Sequence, residues 1–488
     1  MMSRLSMICV IAAAQLLAAI GPAPGAAIAA ENGRALVSAV RSHLDDLAKN
    51  DGLSGVVLIA KDGKPIFEQA YGYSNLADRV PNKPGTKFNI ASMGKMFTAT
   101  AVLQLVEAKR LSLDETVGKY LPDYPNKKVR DQITIRQLLT HTSGMGNFWE
   151  ALDGKAKERY AAVSDYVPLF ADQPLQFEPG KGFAYSNNGY TVLGLIIEAV
   201  TGKTYFDYIR DAIYRPCGMT ATDAYELNVP VPDLAMGYSR SADKPGQLIS
   251  NIYTIPFKGS PAGGSYSTAG DLLKFANALM DHKLLSVEDT ETLTTGKVDY
   301  GKRRYAYGFT EETANGHRLI GHGGGNTGIA DELMIFADLG YTAVILTNGD
   351  VENFWDIENF LKRNAMGASP ATESFDFTKS LVDVAATSGY DAGAALLEKD
   401  PHHPALRAGL LEQMGYKLLW QSKIDQGVAV FRLYALASPG DEYAYLGLGA
   451  AYERAGNRTA AIAAYTKYVG FEPDDQAIKT KLQKLNKP

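Results

Sequence analysis

Ser92 and Lys95 form a Ser-x-x-Lys pair, and those two residue types at that spacing could do covalent chemistry. A serine hydroxyl is a weak nucleophile until a neighbouring base takes its proton. Three residues is close to one helical turn, so a helix starting here carries both side chains on one face. The run that follows (Met96, Phe97, Ala99, Ala101, Val102, Leu103, Leu105, Val106) holds no Pro and no Gly. It predicts a helix from Ser92 to about Arg110, apolar nearly all round and therefore buried. Ser92 would sit in the first turn, where backbone N–H groups are unpaired and the dipole favours negative charge. A second pair with this spacing, Ser241 and Lys244, runs at once into Pro245 and reads as a surface loop.

Two further stretches could complete a site. Tyr185-Ser186-Asn187 follows Phe177-Glu178-Pro179-Gly180 and precedes an apolar helix expected over Tyr190 to Val200, closed by Gly202. Tyr73-Ser74-Asn75 and Tyr124-Pro125-Asn126 share the Tyr-x-Asn spacing but lie in turn-like segments. Gly321-His322-Gly323-Gly324-Gly325 falls between two expected strands. Glycines there give no packing, so they point to close approach by a ligand or another chain segment, the alternative being a flexible loop. Metal chemistry has little support: there is no His-Glu-x-x-His, and His402-His403 lies between Asp400-Pro401 and Pro404, as in a solvated turn. No cofactor is expected.

The elements that must position these residues read as α+β. Glu31 to Lys49 has helical spacing at Leu36, Val37, Val40, Leu44 and Leu47. Gly55 to Lys61 and Lys64 to Ala70, joined by Asp62-Gly63, predict a hairpin. From Ser92 to about Val298 the chain reads as mostly helical with long loops, including short helices at Ile133 to Thr140 and Ala269 to Met280. Strands are then expected at Tyr305 to Thr310, Glu332 to Phe336 and Tyr341 to Leu346. Two strands before the helical block and about three after it suggest an antiparallel sheet assembled from both ends, finished by a helix at Asn353 to Asn364.

Residues 367–376 read as a linker and 377–488 as a helical repeat region. Gly415 and Gly449, Phe431 and Tyr465, and Pro439 and Pro473 are each 34 residues apart, the tetratricopeptide period. Repeats of this kind bury their faces only by stacking, and such units often bind peptides. Residues 1–29 read as a signal peptide: Arg4, an apolar run from Met7 to Ile20, a Pro/Gly break, then Ala27-Ile28-Ala29. That predicts a periplasmic or secreted protein with a catalytic unit over 30–366. Its removal would leave Cys217 as the only thiol, which reads as a packed apolar residue. The net charge of -5 over 488 residues gives no sign of a nucleic-acid surface.

Taken in order, Ser92-x-x-Lys95, Tyr185-x-Asn187 and His322-Gly323-Gly324 resemble the three-motif signature of penicillin-recognising serine hydrolases. The nearest group is the class C β-lactamase-like branch, with its D-alanyl carboxypeptidases, D-aminopeptidases and esterases. Leu138 to Met145, Phe177 to Asn188 and Gly321 to Gly328 support the resemblance. It implies an antiparallel sheet packed by helices, an all-helical subdomain, and a cleft between them with the serine at the start of the central helix. It implies acyl transfer to Ser92, then hydrolysis, with the oxyanion held by the N–H groups of Ser92 and Gly325. Lys95 and Tyr185 would share the proton work. A lysine charge at about 4 Å is worth ~4 kcal/mol at an effective dielectric near 20, which would draw the Tyr185 phenol down while burial pushes it up. Asn187 would hold the substrate amide or orient Lys95.

The third motif departs from true β-lactamases, which begin it with Lys. His322 is largely neutral at pH 7, which favours peptidase or esterase work on a less anionic substrate. A small-molecule or short-peptide substrate is expected, with a protein or peptide partner for the repeats. The competing reading is a non-catalytic ligand sensor that works through the repeats.

Overall fold

The computed structural model describes residues 24–487 other than 153–154, 242–243, 350 and 400–402, and of residues 24–33 the backbone alone. The first 23 residues of the expected signal peptide, and His402, lie outside the described residues. Helix α1 (Pro24–Asp51) covers the expected amphipathic stretch and buries Val40, Leu44 and Leu47. Strands β1 (Gly55–Lys61) and β2 (Lys64–Tyr71) form the hairpin, and Asp62 (φ 49°) and Gly63 (φ 73°) both take the left-handed conformation that a two-residue hairpin turn demands.

Helix α2 (Gly94–Glu107) is the buried helix expected after Ser92, and every residue from Gly94 to Leu103 is buried. It begins two residues later than its pattern suggests, because Ala91–Met93 forms a 3-10 turn ahead of it. Helix α3 (Asn187–Thr201) also begins differently from expectation, at Asn187 rather than Tyr190. The Ser186 hydroxyl accepts from Gly189 N–H as its N-cap, and Gly202 (φ 72°) ends it.

Six strands follow the helical block rather than about three: β3 (Val298–Tyr300), β4 (Arg303–Tyr305), β5 (Thr310–Ala314), β6 (His317–Asn326), β7 (Ile329–Phe336) and β8 (Tyr341–Thr347). The expected strand Tyr305 to Thr310 is split between β4 and β5, with Gly308 (φ 69°) turning the chain between them. Strands β3 to β5 are short and polar, so alternation does not reveal them. Strand β6 carries the glycine cluster expected between strands; there it is strand.

The sheet is antiparallel throughout, in the order β2-β1-β8-β7-β6-β5-β4-β3. Both faces are covered. Val56, Leu58, Leu333, Ile335, Val344 and Leu346 pack into the large core around α2 and α3. Val57, Ile59, Met334, Phe336 and Ile345 pack against α1 and α4 (Val351–Met366).

The expected linker over 367–376 is corrected by a helix at Pro370–Ser388, with Ser369 as N-cap and Pro370 in its first turn, where a missing N–H costs nothing. Helices follow at Tyr390–Lys399, Ala408–Trp420, Ile424–Ala437, Glu442–Arg454, Arg458–Phe471 and Gln476–Leu485. The 34-residue spacing has a packing counterpart: a Cβ at Gly415 would strike the Phe431 ring, and one at Gly449 the Tyr465 ring. This helical region docks on the preceding α+β region through Lys417 Nζ to Asp51 Oδ1 (2.5 Å) and Trp420 Nε1 to Gln247 O (3.1 Å).

A buried charge network backs the sheet where β6 matters. Arg303 on β4 reaches Glu332 on β7 (2.9 Å), Glu312 on β5 (3.2 Å) and Glu358 on α4. Lys362 adds bonds of 2.7 Å to Glu312 and Glu358. Burial pushes the Glu332 carboxyl up to about 7; burial would raise Glu358 too, but Lys362 and Arg303 hold it down to about 2. Arg303→Met leaves three buried carboxylates around one lysine. We expect it to cost about 3–5 kcal/mol of stability, read as a lowered midpoint in urea unfolding.

Candidate active site

Ser92 stands on a strained turn. Ala91 has φ 39°, which a side-chain-bearing residue rarely adopts. Three contacts hold it there. Its N–H donates to Asn89 Oδ1 (3.0 Å), and its carbonyl accepts from Gly264 N–H (2.9 Å). The third is steric: Gly263 and Gly324 press on the turn from either side, and a Cβ on them would collide with the carbonyl oxygens of Ala91 and Ile90 respectively. This is the close backbone approach expected of the glycine cluster, made by another chain segment.

Lys95 is wholly buried and has no acidic partner among the described residues. Its Nζ lies 2.7 Å from Asn187 Oδ1, 2.6 Å from Ala262 O and 3.2 Å from Ser92 Oγ. Burial holds the amine well below the usual lysine range. A neutral amine has two protons and one lone pair. The two protons suit Asn187 Oδ1 and Ala262 O, which can only accept, so the lone pair falls to the Ser92 hydroxyl. That is the arrangement of a base set to take the serine proton.

Tyr185 stands beside Ser92. Burial pushes its phenol up from the usual value, although the Ser92 hydroxyl favours the ionised form. The net shift is opposite to that expected from Lys95. The cause is geometric: Lys95 Nζ stands over the ring face, 4.7 Å from its centroid, and is itself drawn toward neutrality. Asn187 orients Lys95, the second of its two expected roles. Its Nδ2 and its backbone N–H both donate to Asn147 Oδ1, at 2.8 and 2.9 Å, and Asn147 Nδ2 donates to Tyr185 O (3.0 Å). Asn147 thus pins the whole Tyr185–Asn187 segment.

His141 stands behind Tyr185. It is fully buried at φ 59°, its ring centroid 4.2 Å from that of Tyr185. Nδ1 accepts from Ser186 N–H (3.1 Å), so Nε2 carries the proton, and Nε2 has no hydrogen-bond partner among the described residues. Burial, with Lys95 and His322 nearby, holds it well below the usual histidine range. Asn147 and His141 both escape the sequence reading as site residues. His141 lies in the quoted Leu138 to Met145 stretch, where only its unusual backbone would have singled it out.

His322 is neutral as expected and is also tied. Its Nδ1 donates to Gly323 O (2.6 Å), which leaves Nε2 to accept from the Tyr305 hydroxyl (3.0 Å). Burial pushes it down to about 3. Strand β5 pairs with β6 only as far as Gly321, which leaves the edge from His322 to Asn326 without a strand partner on that side. Ser92, Asn187 and Gly325 line one cleft, with Asn89, Ala91, Phe148, Trp149, Pro256, Ser260, Ala262, Gly263, Gly264 and Asn326. Ser92, Lys95, Tyr185, Asn187 and the His322–Gly325 strand are therefore brought together. Gly323 and Gly324 contribute backbone behind the serine rather than cleft lining.

A sequence model of the beta-lactamase family matches residues 40–365. The chain belongs to this family. It is 29% identical over 343 residues to penicillin-binding protein 4* of Bacillus subtilis, covering 65% of this chain and 73% of that protein. Among solved structures it resembles a penicillin-binding protein from Bacillus halodurans (31% identity, TM-score 0.61, 66% of this chain and 98% of that one). It also resembles a D-amino acid amidase from Ochrobactrum anthropi SV3 (27% identity, TM-score 0.58, 67% and 97%). The match spans the sheet, the helical block and all three motifs.

Three predictions follow from the geometry of this beta-lactamase-family site. A lysine base acts only when deprotonated, so we expect kcat/KM to fall as pH drops through the lowered pKa of Lys95, and Lys95→Arg, a fixed cation, to lose about 1,000-fold or more in kcat. The same depressed pKa means that the unfolded chain binds the extra proton, so stability rises with pH between the folded and the ordinary lysine value, and Lys95→Met flattens that rise in thermal melts. Separately, His141→Phe keeps the ring packing but loses the acceptor for Ser186 N–H. We expect it to lower kcat about 10-fold with KM little changed, while His141→Asn, which tolerates the left-handed backbone and offers an oxygen, recovers most of it.

Proposed function

We propose that the protein is a secreted or periplasmic serine hydrolase that works through an acyl-enzyme on Ser92, a peptidase on D-amino-acid peptides or an esterase rather than a true β-lactamase. The observation that carries this is the uncompensated, buried Lys95 amine beside Ser92 Oγ. Lys95 takes the serine proton as Oγ bonds to the scissile carbonyl carbon. The oxyanion falls to the N–H groups of Ser92 and Gly325, helped by the positive end of α2. Collapse expels the leaving amine or alcohol, which takes the proton back from Lys95. Water then attacks the acyl-serine as Lys95 takes its proton, the acyl–Oγ bond breaks, and Lys95 returns the proton to Ser92 Oγ as the acid leaves. Tyr185 stays protonated and offers its hydroxyl to the serine oxygen as charge develops there.

The class C β-lactamase-like branch is supported by the order of the three motifs, and the D-amino acid amidase among the similar structures supports amide substrates. Export rests on the leader pattern over residues 1–29. The C-terminal helices fit tetratricopeptide-like repeats by their period and by the matching Gly–aromatic contacts, and their partner would be a protein or peptide. If the chain were instead a ligand sensor acting through those repeats, Ser92 would not acylate. A fluorophosphonate probe decides between them. We expect covalent labelling of the full chain that Ser92→Ala abolishes; folded wild-type protein that takes no label would refute the hydrolase reading.

A further inference from the structure

The cleft is uncharged from wall to wall. None of the residues lining it is Asp, Glu, Lys, Arg or His. The charge-bearing types nearest the nucleophile are already committed. Lys95 gives its protons to Asn187 and Ala262, and His322 spends both ring nitrogens on Gly323 and Tyr305. A substrate carboxylate entering here would leave water and find no cation among the lining residues, and burying an unpaired charge is among the most costly events in a protein. The polar groups that are present suit neutral partners. Asn326 accepts from Thr327 N–H through Oδ1, and its Nδ2 has no partner among the described residues. Such an amide N–H serves a carbonyl oxygen.

The apolar part of the lining is aromatic and open. Phe148 is buried against Tyr166, with ring centroids 4.9 Å apart, and so supports its neighbour from below. Trp149, 5.0 Å from Phe148 between centroids, lines the cleft while 38% exposed. A large aromatic ring left open on the wall of a cleft offers a face on which an apolar group can pack.

We propose that the substrate is a neutral amide or ester with no carboxylate beside the scissile bond, and that it carries an apolar, preferably aromatic, group that rests on Trp149. The proposal rests on the hydrolase reading above and fixes the substrate class of that same site.

The experiment compares pairs of D-amino-acid dipeptides that differ only in the C-terminus, free acid against carboxamide, each with an aromatic or a methyl side chain. Full-length protein is used and kcat/KM is measured. We expect the carboxamides to exceed the acids on the order of 100-fold. The aromatic side chain should exceed methyl by about 10-fold, and Trp149→Ala should reduce that second ratio to near one. Acids turned over as well as carboxamides, or an aromatic preference untouched by Trp149→Ala, would overturn the proposal. Fluorophosphonate labelling of Ser92 is run alongside. Labelled protein with the wrong substrate preference sinks this proposal and leaves the hydrolase reading standing; protein that takes no label sinks both.

Discussion

An amine buried without a counter-ion sets the terms for everything around it. Lys95 lies in the first turn of the buried helix α2, and its three polar neighbours are a carbonyl, an amide oxygen and a hydroxyl. A nearby carboxylate would have fixed it as an ammonium and ended its use as a base. Neutrality is thus obtained by leaving acids out, and the same exclusion reaches the neighbouring shell. His141 and His322 are held below their usual range and Tyr185 above it, so each keeps its neutral form at neutral pH.

Holding a neutral lysine against a serine requires stiff surroundings, and the chain builds them from backbone. The Ser92 turn is wedged between the Gly263 and Gly324 segments, which belong to opposite walls of the cleft. Strand β6 supplies one wall, and it is fixed by pairing with β7 from Leu319 to Asn326. Behind Gly323 lies Glu332, its cross-strand partner, held by Arg303. The charged network is therefore kept one strand away from the neutral site. Charge is permitted where it fastens strands and excluded where a proton must move.

Much of this was legible in the residues. The hairpin at Asp62-Gly63, the buried helix after Ser92 and the three motifs are local patterns, and each survives in the fold. The strands that escaped reading share a cause. Strands β3 to β5 are three to five residues of mixed polarity, and β6 is broken by glycines, so neither alternation nor β-propensity marks them. Their strand character comes from partners far along the chain. Pro370 misled for a related reason: it marks a break in one context and a helix start in another, and Ser369 decides between them. In the site, Asn147 could not be found from spacing, because what it does depends on three backbone and side-chain atoms some forty residues away.

The base and the substrate are joined by one electrostatic argument. An anion bound near Ser92 would favour the charged form of Lys95. At about 8 Å and an effective dielectric near 20, the interaction is worth ~2 kcal/mol, or over one pKa unit in the wrong direction. A fixed cation on the neighbouring strand would cancel that effect, since it would pair with the anion and repel a proton from Lys95. His322 offers no such charge, being tied at both ring nitrogens and held neutral by burial. With no compensating cation, the site keeps its base only if what enters the cleft is itself uncharged. The side chain that opens the third motif therefore bears on the nucleophile's activation as well as on recognition.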